Sequence, residues 1–271
     1  MAEVDGATFR TFVERRRNAL LAIGDPSPLH RDLDLHLLST GIRHDDLTLH
    51  LLRDGLSALA CYLVSRPRFE SFGWTIGIQK PPLNLFFTGS ATERTVVGRA
   101  FRGAVKRAPR NVFISQTTRP FVGVQTSKVE VEGIDIFAMV EQFCRRSDQQ
   151  PGRYFHVGDP RVAFLLSLPD VEAPWFCSVG ASEAFALEKG IDSKLVSEQT
   201  VGFRCGCDID CIARVVAEVY RENPGELFRG ESSIEAECPR CGAKHTVTRE
   251  RFQAVAAARA VETPPPNERP I

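Results

Sequence analysis

Four cysteines near the C-terminus constrain this chain more than any other feature. Cys205-Gly206-Cys207 comes first, and Cys238-Pro239-Arg240-Cys241 follows after the thirty residues 208–237. In an extended segment side chains repeat every second residue, so Cys205 and Cys207 can point to one side. Pro239 and Gly242 suit a tight turn that brings Cys238 and Cys241 toward a common point. Four thiolates that converge make a closed tetrahedral zinc site, the structural rather than the catalytic kind. Most zinc ribbons carry Cys-x-x-Cys on both arms, so the Cys-x-Cys arm narrows the field.

The rest of the composition bounds the setting. The chain has 271 residues, enough for a main domain and a smaller one. Lys plus Arg and Asp plus Glu each total 34, so no net charge draws it toward nucleic acid or an anionic membrane. The sequence shows no apolar run of bilayer-spanning length and no signal-peptide pattern, since Glu14 and Arg15-Arg16-Arg17 interrupt the N-terminus. The expectation is a cytoplasmic protein without a membrane partner. Thiols stay reduced there, so eight cysteines point to metal or redox chemistry before a disulfide scaffold.

Periodicity gives a coarse map. Residues 8–23 read as a helix with Phe9, Phe12, Val13, Leu20 and Ile23 as a loose stripe. Leu33, Leu35 and Leu37 alternate as an edge strand. Leu47–Val64 reads as a long helix weakened at Gly55. Period two then takes over from Phe72, with strands expected near 74–78, 83–88, 96–101, 112–115 and 121–131. A second helix covers Ile134–Cys144, and Tyr154–Val157, Ala163–Leu168 and Trp175–Val179 add three short strands. The fold class is α+β: a strand-rich N-terminal domain with few helices, a linker and a small C-terminal zinc-binding module. The expected bounds are 1–178, a linker over 179–203, the four-cysteine module over 204–255, and a helix end with a Pro-rich tail over 256–271. Within the module, Ile209–Tyr220 reads as a helix broken by Asn223-Pro224-Gly225. Ile234–Cys238 and Lys244–Val247 read as a hairpin, and Thr248 as the N-cap of a last helix.

These residues resemble the heat-shock-protein-33 family of redox-regulated holdase chaperones. Phe203-Arg204-Cys205-Gly206-Cys207 is similar to the family's Phe-Arg-Cys-x-Cys entry. So are the helix after it, Gly225-Glu226-Leu227, and Ile234-Glu235-Ala236-Glu237-Cys238-Pro239-Arg240-Cys241-Gly242. Weaker likeness extends through Asn84–Gly89, Val97–Phe101, Pro120–Gly123, Val131–Ile136 and Gln142–Pro151, so that residues 47–253 are covered. The resemblance implies that Cys205, Cys207, Cys238 and Cys241 hold Zn(2+) when reduced. It implies disulfides between near neighbours, Cys205–Cys207 and Cys238–Cys241, on oxidation. Zinc release, unfolding of the module and its linker, and exposure of apolar surface for unfolding client proteins follow in the family without ATP, and oxidised members dimerise. The first thirty-odd residues, read as a helix, depart from the family's opening strand.

Other residues receive plainer readings. Cys211 reads as a helix residue with no ligand role, Cys61, Cys144 and Cys177 as buried thiols, and His245 as a surface strand position although it can substitute for a thiolate. Arg102, Lys106, Arg107 and Arg110 read as a solvated loop. The alternative function is a constitutive zinc-ribbon accessory protein that binds nucleic acid or protein and has no redox switch. Residues 201–253 hold eight Lys/Arg against nine Asp/Glu, and a phosphate-binding ribbon is normally basic, so nucleic acid is disfavoured as a partner. An enzyme is not expected: the sequence has no Gly-rich phosphate loop, no His-Glu-x-x-His and no Gly-x-Ser-x-Gly.

Overall fold

The computed structural model describes residues 5–101, 103, 108–156, 160–220 and 224–262. The Pro-rich tail from Thr263, three members of the basic run (Arg102, Lys106, Arg107), Val157 and Asn223 lie outside the described residues. Two compact units emerge, Met1–Cys205 and Gly206–Ile271.

The first unit is organised by a ten-stranded mixed sheet. In chain order its elements are β1 (Ala7–Glu14), β2 (Ala19–Gly24), α1 (Ser27–Thr40), α2 (Asp46–Val64), β3 (Ser71–Gln79), β4 (Pro82–Ser90), β5 (Thr95–Phe101), β6 (Asn111–Arg119), β7 (Gly123–Val131), α3 (Ile136–Phe143), β8 (Gly152–Phe155), β9 (Val162–Ser167), α4 (Ala173–Ser178), α5 (Ala181–Ala186) and β10 (Ser193–Phe203). The strand order is β7-β6-β3-β4-β5-β10-β1-β2-β9-β8. Strands β3 and β4 show strict alternation of buried and more exposed positions, which is why period two is legible there. Helix α2 begins at the N-cap Asp45, whose carboxylate accepts from the Thr48 amide, and buries Leu51, Leu52, Leu56, Leu59 and Leu63 in the core. Each such leucine contributes roughly 1.5–3 kcal/mol by leaving water.

Several expectations are corrected. The stretch over 8–23 is a hairpin, β1–β2, not a helix. The β1–β10 register slips where Val196 of β10 is passed over, while β1 pairs with β2 unbroken; Phe9 and Phe12, three apart, point to opposite faces of the strand and mimic a helical stripe. Phe9 packs in one core cluster and Phe12 in the other. The alternating leucines over 33–37 lie on α1, where Leu29 and Leu33 are buried and Leu35 is exposed. Pro28 sits in the first turn of α1, where a missing N–H costs nothing. The expected strand at Trp175–Val179 is the short helix α4, again with a proline in its first turn, and its Trp175 Nε1 donates to Glu183 at 2.7 Å.

The linker is the most consequential correction. Residues expected to be a linker over 179–203 form α5, a single 3-10 turn and the long strand β10. β10 pairs antiparallel with β1 and, at Gly202–Phe203, parallel with β5, so it joins the two halves of the sheet. Its burial is mostly shallow, with Leu195 and Val196 exposed, and so it carries no strong strand pattern.

One helix among the described residues, α2, is long and apolar enough to cross a membrane, where none was expected; most of it is buried in the core. A polar network ties its end to the turn after α3. Tyr62 donates its hydroxyl to Asp148 Oδ2 at 2.7 Å, Arg66 Nη2 donates to the same oxygen at 2.6 Å, and Arg66 Nη1 donates to Gln150 Oε1 at 3.1 Å. Burial raises the Tyr62 phenol well above its usual range, so it stays a donor.

The second unit holds α6 (Ile209–Val219), α7 (Pro224–Phe228), the hairpin β11 (Ser233–Glu237) and β12 (Lys244–Thr248), and α8 (Arg249–Glu262). Among the described residues its buried side chains are few: Ile212, Ala213, Ala217, Phe228, Val247, Phe252 and the thiols Cys238 and Cys241. The rings of Phe228 and Phe252 meet edge to face at 5.5 Å. Thr248 caps α8 as expected, its hydroxyl accepting from the Arg251 amide at 3.2 Å, and Arg251 pairs with Asp210 of α6.

Candidate metal centre

The β11–β12 hairpin builds one arm of the site. Its last ladder pair is Glu237↔Lys244, and the chain between them turns through Cys238-Pro239-Arg240-Cys241-Gly242-Ala243. The Cys238 amide donates to the Ala243 carbonyl at 2.8 Å and the Gly242 amide to the Cys238 carbonyl at 2.9 Å, which closes the turn. Gly242 has φ +79°, a left-handed conformation that a side chain resists. The turn presents Cys238 and Cys241 inward, each 2 % exposed.

The other arm follows β10. Gly206 has φ +66°, so the chain bends between Cys205 and Cys207 and aims both half-buried thiols at the first pair. Asp208 then caps α6, its carboxylate accepting from the Cys211 amide at 2.6 Å. The cap, one residue after Cys207, fixes where the helix begins.

The sulfurs of Cys205, Cys207, Cys238 and Cys241 all lie within 4.8 Å of one another. Cys207 Sγ and Cys241 Sγ, on opposite arms, are 3.6 Å apart. A tetrahedral zinc with Zn–S of about 2.3 Å places its sulfurs roughly 3.8 Å apart. Four soft sulfur donors at this spacing fit zinc. The group can hold a metal ion, and a shell of four thiolates leaves no position for substrate.

The remaining candidates separate cleanly. Cys211 lies on the first turn of α6 and is not among the four grouped thiols. Cys61 and Cys144 are buried, and burial raises both thiols, Cys144 to about 12 and Cys61 further, so neither is a ready nucleophile at neutral pH. Cys177, expected to be buried, is exposed on α4. Arg110 of the basic run pairs with Glu130 at 3.3 Å. His245 is on β12 as read, yet its Nε2 lies 3.4 Å from Cys207 Sγ. The strand assignment was legible; the approach of the other arm to that strand was not.

Comparison with solved structures decides the fold. The crystal structure of the 33 kDa chaperonin (heat shock protein 33 homolog) from Thermotoga maritima matches over 95 % of this chain and 99 % of its own, with TM-score 0.67 and 12 % identity. The fold is that of Hsp33. No protein-family model matches the sequence, and no curated protein matches it. The Hsp33 fold therefore persists here at low identity, and the four-cysteine group accompanies it.

Proposed function

We propose that the chain is a redox-regulated, ATP-independent holdase chaperone, acting in the cytoplasm on unfolding proteins and not as an enzyme. The observation that carries the reading is the convergence of four sulfurs within 4.8 Å on a chain with the Hsp33 fold. Cys205, Cys207, Cys238 and Cys241 are the proposed ligands. A bound zinc ion supplies folding free energy to the C-terminal module, on the order of 10–16 kcal/mol in small zinc domains.

The cysteines do the switching. With a peroxide as oxidant, one thiolate attacks a peroxide oxygen, hydroxide leaves, and the sulfur becomes a sulfenic acid. The neighbouring thiolate displaces a second hydroxide and forms the S–S bond. Each disulfide passes two electrons to one peroxide, so the two pairs consume two. Disulfide sulfurs lack the negative charge of thiolates and are poor ligands, so the oxidised site no longer holds the ion. Among the described residues the module's remaining core is Ile212, Phe228, Val247 and Phe252 with two alanines, too small to stay folded without that support. Oxidation is thereby converted into local unfolding and exposed apolar surface. Dimerisation of the oxidised form belongs to the same proposal.

The test counts zinc and thiols per chain before and after peroxide and follows light scattering by an unfolding client. The expected result is loss of one zinc and four thiols together with suppressed scattering. Equal suppression by the reduced, zinc-loaded form contradicts the switch, and a salt-sensitive gel shift with no chaperone activity supports the nucleic-acid alternative instead.

A further inference from the structure

His245 lies on β12 opposite Ala236 of β11, and Val247, two residues on, shares its face and is fully buried. The His245 ring reaches the cysteine cluster, with Nε2 at 3.4 Å from Cys207 Sγ. The contact lies within the hydrogen-bond range of a nitrogen and a sulfur, and it links the hairpin arm to the Cys-x-Cys arm.

We propose that His245 is a positioning residue of the thiolate cluster: its Nε2–H donates to Cys207 Sγ and lowers the nucleophilicity of that sulfur. The inference rests on the metal reading above. Four thiolates around a divalent ion carry a net charge of two minus, and that charge is held in a half-buried site. Each N–H aimed at a sulfur offsets part of it and draws electron density from the lone pair that attacks electrophiles. Outer hydrogen bonds of this kind also orient ligands, and losing one costs about 10–100-fold in metal affinity. Cys207 sits on the Cys-x-Cys arm, and a side chain from the hairpin offers it a donor.

The experiment uses the full zinc-loaded chain, with His245→Leu to remove the donor and His245→Gln to keep an N–H at similar reach. Zinc affinity is read by chelator competition, and iodoacetamide alkylation of each cysteine is followed by peptide mass spectrometry. Alkylation forms an S–C bond as iodide leaves, so its rate reports nucleophilicity without an oxidant. The expected result is one zinc per chain in all three proteins, with affinity lowered about 10–100-fold in His245→Leu. Cys207 alkylation speeds up there, and both properties return toward wild type in His245→Gln. In the wild-type chain loaded with cadmium-113, the His245 Nε2–H proton should show scalar coupling to the metal through the sulfur, which needs no variant to fold. Unshifted affinity and alkylation in His245→Leu, or no such coupling, overturns the proposal while leaving the metal site standing. A wild-type chain that binds no zinc removes both.

Discussion

Cys207 and Cys241 bring their sulfurs to 3.6 Å although they lie 34 residues apart in sequence and on opposite arms of the cluster. A disulfide needs about 2.05 Å, so this cross-arm pair is within reach of oxidation as well. The two pairings have opposite consequences. A Cys207–Cys241 bond would staple the arms together and hold the module closed. Cys205–Cys207 and Cys238–Cys241 leave the arms free to separate. Near neighbours stay close after the module loosens, whereas closing a long loop costs entropy. Peptide mapping after peroxide treatment should therefore recover the two near-neighbour disulfides. A dominant Cys207–Cys241 peptide would mean that oxidation locks the module.

Gly206 carries the bend that lets both thiols of the first arm face the cluster. A Cβ built there meets no atom within 4 Å, so the whole penalty of a substitution comes from its φ of +66°. A left-handed residue other than glycine costs about 1–2 kcal/mol. Gly206→Ala should weaken zinc binding by about 5–30-fold, the same free energy expressed as affinity. Chelator competition measures it, and an unchanged affinity would show that the bend does not govern ligand placement.

Gly55 gives a test in the first unit. By helix propensity alone, Gly55→Ala should stabilise α2 by up to about 1 kcal/mol. A Cβ at Gly55 would instead lie 2.0 Å from Phe87 Cζ, and Phe87 is fully buried. Over-packing of a tight core costs about 1–3 kcal/mol, so packing should win. Urea denaturation should show a net loss of stability in Gly55→Ala. A gain would mean that Phe87 can move aside.

His30 sets a pH dependence. Its Nε2 lies 2.8 Å from the Ser57 hydroxyl and 3.2 Å from the Arg53 carbonyl. Burial, the largest effect, lowers its pKa below 6.5; the Arg53 charge adds to this, while the backbone hydrogen bond, Asp34 and Asp25 oppose it. The folded state then binds fewer protons than the unfolded one. The associated stability is present above pH 6.5 and is lost as pH falls through the lowered folded value. The urea midpoint should drop as pH is lowered from about 7.5 to about 5.5, and His30→Gln should drop less. Equal drops would place the acid sensitivity elsewhere.

Legibility in the sequence followed local rules. β3, β4 and α2 announced themselves because one face or one stripe meets one core. Residues over 8–23 did not, because β1 and β2 send apolar side chains to core clusters on both faces of the sheet, so hydrophobicity does not alternate along them. β10 was hidden for the opposite reason: its outer half is exposed, and only its pairing with β1 and β5 makes it a strand. The cysteine spacing predicted the convergence of four sulfurs, since turn geometry is local. The place of His245 beside Cys207 depends on how two distant arms meet, which no local pattern encodes.

β10 leads through Arg204 directly into Cys205, and the Arg204 amide still donates to the Val96 carbonyl at 3.2 Å. No free tether therefore separates the last strand of the first unit from the first ligand, and the unfolding unit proposed here is the module beyond Cys205. Hydrogen exchange resolved by residue, on reduced zinc-loaded and on fully oxidised metal-free chain, tests this most directly. The account predicts that amides in α6, β11, β12 and α8 lose protection on oxidation while β3, β4 and α2 keep theirs. Protection retained throughout the module after the thiols are oxidised and the metal is gone would contradict it.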